Sequence, residues 1–117
     1  MSQPLLNLIV IRTPNVEEVV AFYTNLGLKF TPHQHGTGTP HHASEGAFTL
    51  EIYPSSASQP PTKQLRLGFR VASLATVLAN TTPACILSPT KDSEWGLRAI
   101  VQDPDGHKVE LVQPKTA

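Results

Sequence analysis

Apolar residues recur along this chain with two different periods. LLNLIVIRT is a short run rich in branched aliphatics, whereas VEEVVAFYTNLGL places Val16, Val19, Val20, Tyr23 and Leu26 three and four positions apart. The first is the pattern of a strand and the second that of one helix face. Asn15 stands where the N-cap of this helix belongs, Glu17 and Glu18 bring carboxylates to its first turn, and Gly27 is placed to end it in a left-handed conformation. Alternation then returns. LKFTPHQH and HHASEG flank the turn-rich GTGTP, and AFTLEIYP runs up to the breaker segment SSASQPPT. The first half therefore reads β-α-β-β-β. The second half begins again, with QLRLGFRV as a strand, SLATVLAN as a helix, ACILSP and LRAIVQD as strands, a DPDG turn, and KVELVQ as the last strand.

Element order is not all that repeats. A shift of 58 positions sets Phe69, Arg70 and Leu74 on Ile11, Arg12 and Val16, and a shift of 59 sets Glu110 in KVELVQP on Glu51 in TLEIYP. Two offsets agreeing to within one residue point to an internal duplication. The chain reads as one α+β domain over residues 1–117, with a first module at 5–54, a linker at 55–63 and a second module at 64–113. Strand alternation then sorts the side chains, because every second residue points the same way. Leu65, Leu67, Phe69 and Val71 make an apolar face that lies against a helix, so Arg66, Gly68 and Arg70 look away from it. By the same argument Asn7, Ile9 and Ile11 cover the first helix, and Leu8, Val10 and Arg12 take the opposite face. Val109 and Leu111 pack inward, while Lys108, Glu110 and Val112 face outward. Two such sheets side by side, helices outside, bring Leu8, Glu51, Arg66 and Glu110 to one concave cleft.

Composition narrows the partners. Among 117 residues, nine Lys plus Arg balance nine Asp plus Glu, and neither sign is gathered into a block. Neither nucleic acid nor an anionic membrane is an expected partner; a small neutral ligand or another protein is. The single cysteine, Cys85, allows no intrachain disulfide and reads as a small buried hydrophobe, which suits a cytoplasmic protein. MSQPLLNLIVIRTP has no basic leader, and its apolar run is too short for a signal peptide or a membrane span.

Several side chains carry candidate chemistry. His33, His35, His41 and His42 fall within ten residues, in HQHGTGTPHH. Alternation puts His33 and His35 on one face and His41 and His42 on opposite faces, so at most three converge. They read as polar hairpin residues, with contact between a ligand and His35 or His41, or metal binding, as the other readings. Trp95, the one tryptophan, reads as core or dimer packing, or as a stacking wall for a flat ligand. DPDG is turn chemistry, and His107 beside it reads as a turn residue. Arg12 and Arg70 are equivalent under the repeat and end their strands on the cleft side.

The paired repeats, the helix end AFYTNLGL and the segment DPDGHKVELVQ resemble the vicinal-oxygen-chelate superfamily, which includes glyoxalase I, extradiol dioxygenases, fosfomycin resistance proteins and bleomycin resistance proteins. HGTGTPHHASE and SEWGLRAIVQDPDG also look like the hairpins of small glyoxalase-like proteins, so the resemblance covers about residue 5 to residue 113. It implies two βαβββ modules in a curved mixed sheet, with helices outside and a concave cleft. Metal-using members carry ligands on the first, fourth, fifth and eighth strands, typically His or Gln, Glu, His and Glu. The matching positions here are Leu8, Glu51, Arg66 and Glu110. Leu8 has no donor atom and Arg66 is a permanent cation, so no metal or other cofactor is expected, a divalent metal being the alternative. Arg66 and Glu110 are instead expected to form a bidentate cross-strand pair, with Glu51 sharing Arg66 or staying hydrated.

Two functions follow from the resemblance. One is a binding protein of the bleomycin-resistance type, its small-molecule ligand touching Leu8, Arg12, His35, His41, Glu51, Arg66, Trp95 and Glu110. The alternative is a metal-dependent lyase or dioxygenase with a non-standard ligand set, using Glu51 or Glu110 as catalytic base or recruiting a metal through the hairpin histidines. The resemblance also implies a homodimer, since members pair two chains so that sheet edges and clefts are covered.

Overall fold

The computed structural model describes residues 2–116. The first half contains β1 (Leu8–Thr13), α1 (Val16–Asn25), β2 (Thr31–His33), β3 (His41–Glu45) and β4 (Thr49–Pro54). The second contains β5 (Arg66–Arg70), α2 (Leu74–Ala79), a 3-10 turn at Pro83–Cys85, β6 (Ile86–Ser93), β7 (Gly96–Gln102) and β8 (Lys108–Pro114). Each half closes its own four-stranded mixed sheet, in the orders β1-β4-β3-β2 and β5-β8-β7-β6. The pairs β1/β4 and β5/β8 are parallel and the rest antiparallel. Val10 stands opposite Glu51, and Gly68 stands opposite Glu110. The two sheets therefore share one register. Pro32 is tolerated because β2 is an edge strand.

The helices begin as their sequences lead one to expect, with one exchange of partners. Asn15 precedes α1 but does not cap it; its side-chain amide donates to Asp105 Oδ1 at 3.1 Å. Ser73 does cap α2, accepting from the Thr76 N–H at 3.2 Å, and Gln113 Oε1 takes the Leu74 N–H at 2.9 Å. Gly27 leaves α1 with φ +116°, the left-handed conformation its place in the sequence predicts.

One continuous core joins the halves, with Ile11, Val19, Tyr23, Leu50 and Ile52 on one side and Leu74, Val101, Val109 and Leu111 on the other. The Phe69 ring lies 6.3 Å from both the Tyr23 and the Phe48 rings. A polar lock adds to it. The Tyr23 hydroxyl donates to Asp103 Oδ2 at 2.7 Å, and Asp103 Oδ1 accepts the N–H groups of Asp105 and His107, both at 2.9 Å. His107 is fully buried, and its Nδ1 accepts the Leu65 N–H at 3.0 Å. It is therefore a core residue that docks the start of β5, more than the turn residue its place in DPDGH suggests. Cys85 is half-buried and packs against the core as a small apolar group. Among the described residues no helix is long and apolar enough to cross a membrane.

The linker turns back along the first sheet. The Thr62 N–H donates to Arg12 O and Thr62 Oγ1 accepts the Arg12 N–H, both at 2.9 Å, so the outer edge of β1 is partly paired. The chain is flat, 48 × 44 × 23 Å, with a radius of gyration of 15.2 Å. A fully compact chain of this length has about 13 Å. The sheets lie side by side, and their outward faces do not close on each other.

Candidate functional site

Glu110 sits on the middle strand pair of the second sheet, with β5 on one side and β7 on the other. Its direct neighbour on β5 is Gly68, which has no side chain, so Arg66 reaches Glu110 diagonally. Arg66 Nη2 donates to Glu110 Oε1 at 2.8 Å, and Arg98 Nη2 on β7 donates to the same oxygen. The expected bidentate cross-strand pair is thus replaced by one carboxylate oxygen shared between two guanidiniums from flanking strands. The reason is register: Arg66 faces Lys108 directly, not Glu110. Arg98 is a site residue that the sequence expectations omit, although Ala99 and Val101 turned inward place it on the outward face.

The hydrogen bond from Arg66, then that from Arg98, holds the Glu110 carboxyl below the ordinary carboxylate range. The sign is the usual one for a paired acid: the stabilisation is present above the unfolded carboxyl's pKa and is lost as pH falls through the lower folded value. Arg66 is half-exposed, so screening keeps the pair's contribution small. Arg98→Gln is expected to raise the Glu110 titration midpoint, followed by side-chain carbonyl NMR, without changing the fold. An unmoved midpoint would show that Arg98 does not act on this carboxylate.

Beside this triad is an open concavity of about 520 Å³, bounded by Gly68, Phe69, Arg70, Trp95, Glu110 and Val112. Trp95 stands at its mouth and is 64% exposed. Core packing of Trp95 within the chain is therefore ruled out: it sits in the short turn between β6 and β7, beyond the reach of the core. The neighbouring Gly96 has φ +127°, and a Cβ there would lie 2.1 Å from Gln113 O. Only glycine lets the hairpin approach β8 this closely.

The outward face of the first sheet carries a different group. Register sets Arg12 opposite Tyr53 and His33 opposite His41. The Arg12 guanidinium lies 4.8 Å over the Tyr53 ring, which in turn stacks on His41 at 4.1 Å. Glu51 Oε2 is 3.2 Å from His41 Nε2, and His41 Nδ1 is 3.0 Å from Thr39 O. The loop after β2 brings the exposed His35 ring to 5.6 Å from His41 and 5.9 Å from His33. His42 stands opposite the core residue Ile52 and so takes the other face of the sheet. Three histidines converge, as alternation allows, and the partner of Glu51 is His41 instead of Arg66.

Leu8, Glu51, Arg66 and Glu110 fall into two groups, one on each sheet. Glu110 and Arg66 belong to the second sheet, Leu8 and Glu51 to the first, and among the described residues no hydrogen bond or ion pair links the two groups. At the resembling family's four ligand positions Leu8 is apolar, Arg66 is a cation bound to Glu110, and the two carboxylates stand in separate clusters. Tyr53 is a further member that the sequence expectations omit, although it lies on the same strand face as Glu51, one alternation beyond it.

The family profile described as Glyoxalase/Bleomycin resistance protein/Dioxygenase superfamily matches residues 5–111. No curated protein matches the chain. Among solved structures, the antibiotic binding protein TnmS3 from Streptomyces sp. CB03234 superposes with a TM-score of 0.75 at 22% identity, covering 98% of this chain and 99% of that one. The oxidase ChaP-H2 gives 0.74 at 20% identity, with 99% and 98% covered. TioX from Micromonospora sp. ML1 gives 0.71 at 18% identity, with 96% and 100% covered. At these identities the likeness is one of fold.

Proposed function

Because the chain belongs to the glyoxalase/bleomycin resistance protein/dioxygenase superfamily, we propose that it binds a small organic molecule against the outward face of its second sheet, without a metal at the family's four-strand site. The observation that carries this reading is the concavity beside Glu110, where an apolar wall and a polar anchor meet. Trp95 offers a flat face for stacking, and Val112 and Phe69 add apolar area. Two guanidiniums, Arg66 and Arg98, hold the Glu110 carboxylate and a third, Arg70, lines the concavity, so the local charge favours a ligand bearing an anionic oxygen. A planar aromatic acid or phenol has both features. The description of TnmS3 as an antibiotic binding protein supports the same direction.

A second copy of the chain supplies the missing opposite wall in this reading. The flat shape and the exposed Leu8, Val10, Trp95 and Leu97 support it, since these residues lie on outward faces or at the hairpin tip. Native mass spectrometry with a panel of aromatic acids and phenols tests both parts at once. Two chains carrying two ligands are expected, with Trp95→Ala and Arg98→Gln each weakening binding by about tenfold or more, equivalent to about 1.4 kcal/mol. Undiminished binding by both variants would remove this face as the site, and a single-chain mass with ligand bound would remove the second copy.

A further inference from the structure

We propose that the β2–β3 hairpin is a binding site for a divalent transition-metal ion of the zinc class, held by His33, His35 and His41. Its three ligands lie outside the family's four-strand ligand set, of which Glu51 adjoins the cluster, and the site is separate from the concavity beside Glu110. Its three imidazoles each offer a nitrogen within 4.8 Å of the other two. Tetrahedral donors on zinc–nitrogen bonds of about 2.0–2.1 Å are spaced roughly 3.3 Å apart, so closure asks each ring to move by about 1 Å. The connecting loop can supply that movement, because it contains Gly36, in a left-handed conformation, and Gly38.

The hydrogen bonding around the rings points the same way. His41 is buried, and its Nδ1–H donates to Thr39 O at 3.0 Å, which leaves the lone pair on Nε2. That lone pair faces Glu51 Oε2 at 3.2 Å, with the Tyr53 hydroxyl at 3.4 Å, long for a donor. Two acceptors this close require a proton or a cation between them. A proton on His41 would answer for this pair alone, whereas a metal ion also takes the nitrogens of His33 and His35. Thr31 Oγ1 holds one nitrogen of His33 at 2.9 Å, so two of the three rings already have an oriented outer partner, as metal-bound imidazoles do. Three neutral nitrogen donors of borderline softness suit zinc, nickel or copper(II) better than magnesium or calcium. Glu51 adjoins the cluster through His41, where its charge offsets part of that of the ion.

Chelator-stripped protein titrated with zinc alone, and in parallel with cobalt(II) followed by visible absorption, tests the site. One zinc per chain is expected, with a Kd of about 1 µM or tighter. His35→Ala changes an exposed loop residue, so the metal-free variant is expected to melt like the wild type while binding zinc at least about tenfold more weakly. His33→Ala should behave similarly. The cobalt(II) form should show the absorption of a four- or five-coordinate site, lost in His35→Ala. Binding as tight in both variants as in the wild type, or no zinc bound at about 100 µM, would overturn the proposal.

Discussion

Asp103→Ala is expected to destabilise the chain by about 3–5 kcal/mol, lowering its Tm by about 15–20 °C. The carboxylate is buried and accepts three donors: the Tyr23 hydroxyl and the N–H groups of Asp105 and His107. Removing it leaves the hydroxyl and at least one amide without partners in the interior, and each such group costs about 1–3 kcal/mol. Tyr23→Phe removes one donor while leaving the carboxylate its two amides, so it should cost about 1–2 kcal/mol. The order of the two urea midpoints is the check. An Asp103→Ala variant no less stable than Tyr23→Phe would mean that this lock does not tie the second half to α1. Burial, then the charge of Asp103, raises the Tyr23 phenol above its ordinary value. The raised value has a consequence at alkaline pH. The folded chain keeps a proton that the unfolded chain releases above about pH 10, so this contribution to stability is full below that pH and declines above it.

Gly96→Ala is expected to cost about 3 kcal/mol or more. Two penalties coincide there, the left-handed φ and a methyl group placed 2.1 Å from the Gln113 carbonyl oxygen. The obstacle is backbone, so relief requires the Gly96–Pro114 end of the β7–β8 ladder to part. Gly68→Ala is the control. A methyl group at Gly68 would meet no heavy atom within 4 Å, and the residue's φ is not positive, so the substitution should shift stability by only about 0.5 kcal/mol. Equal losses in the two variants, measured by chemical denaturation, would refute the steric account of Gly96.

The alternation in RLGFR and KVELV is enough to sort side chains between core and outward face, because a strand residue has only those two destinations. Leu67, Val109 and Leu111 are buried, and Arg66 and Glu110 face out, as that pattern requires. What alternation does not contain is the relative stagger of neighbouring strands. The strand order implied by the resemblance sets Arg66 directly beside Glu110, where the folded chain joins them on the diagonal, and Arg98 is left without an assigned partner. The same gap explains Glu51: the stagger of β3 against β4 brings His41 to it on the shared face. His107 differs from its expectation because a turn residue's side chain obeys no period. The duplication, by contrast, is readable, since offsets of 58 and 59 positions are properties of order along the chain alone.

Trp95 is the chain's one tryptophan, and it stands 64% exposed at the mouth of the concavity, not in the core. Its emission therefore originates at the proposed ligand wall and nowhere else. In the free single chain the indole is already hydrated, so unfolding should shift its spectrum little, whereas a ligand stacked on it, or a second chain covering it, should move emission to the blue or quench it. Fluorescence in this protein reports occupancy, and circular dichroism reports folding, so the two events can be followed in one sample by two independent signals.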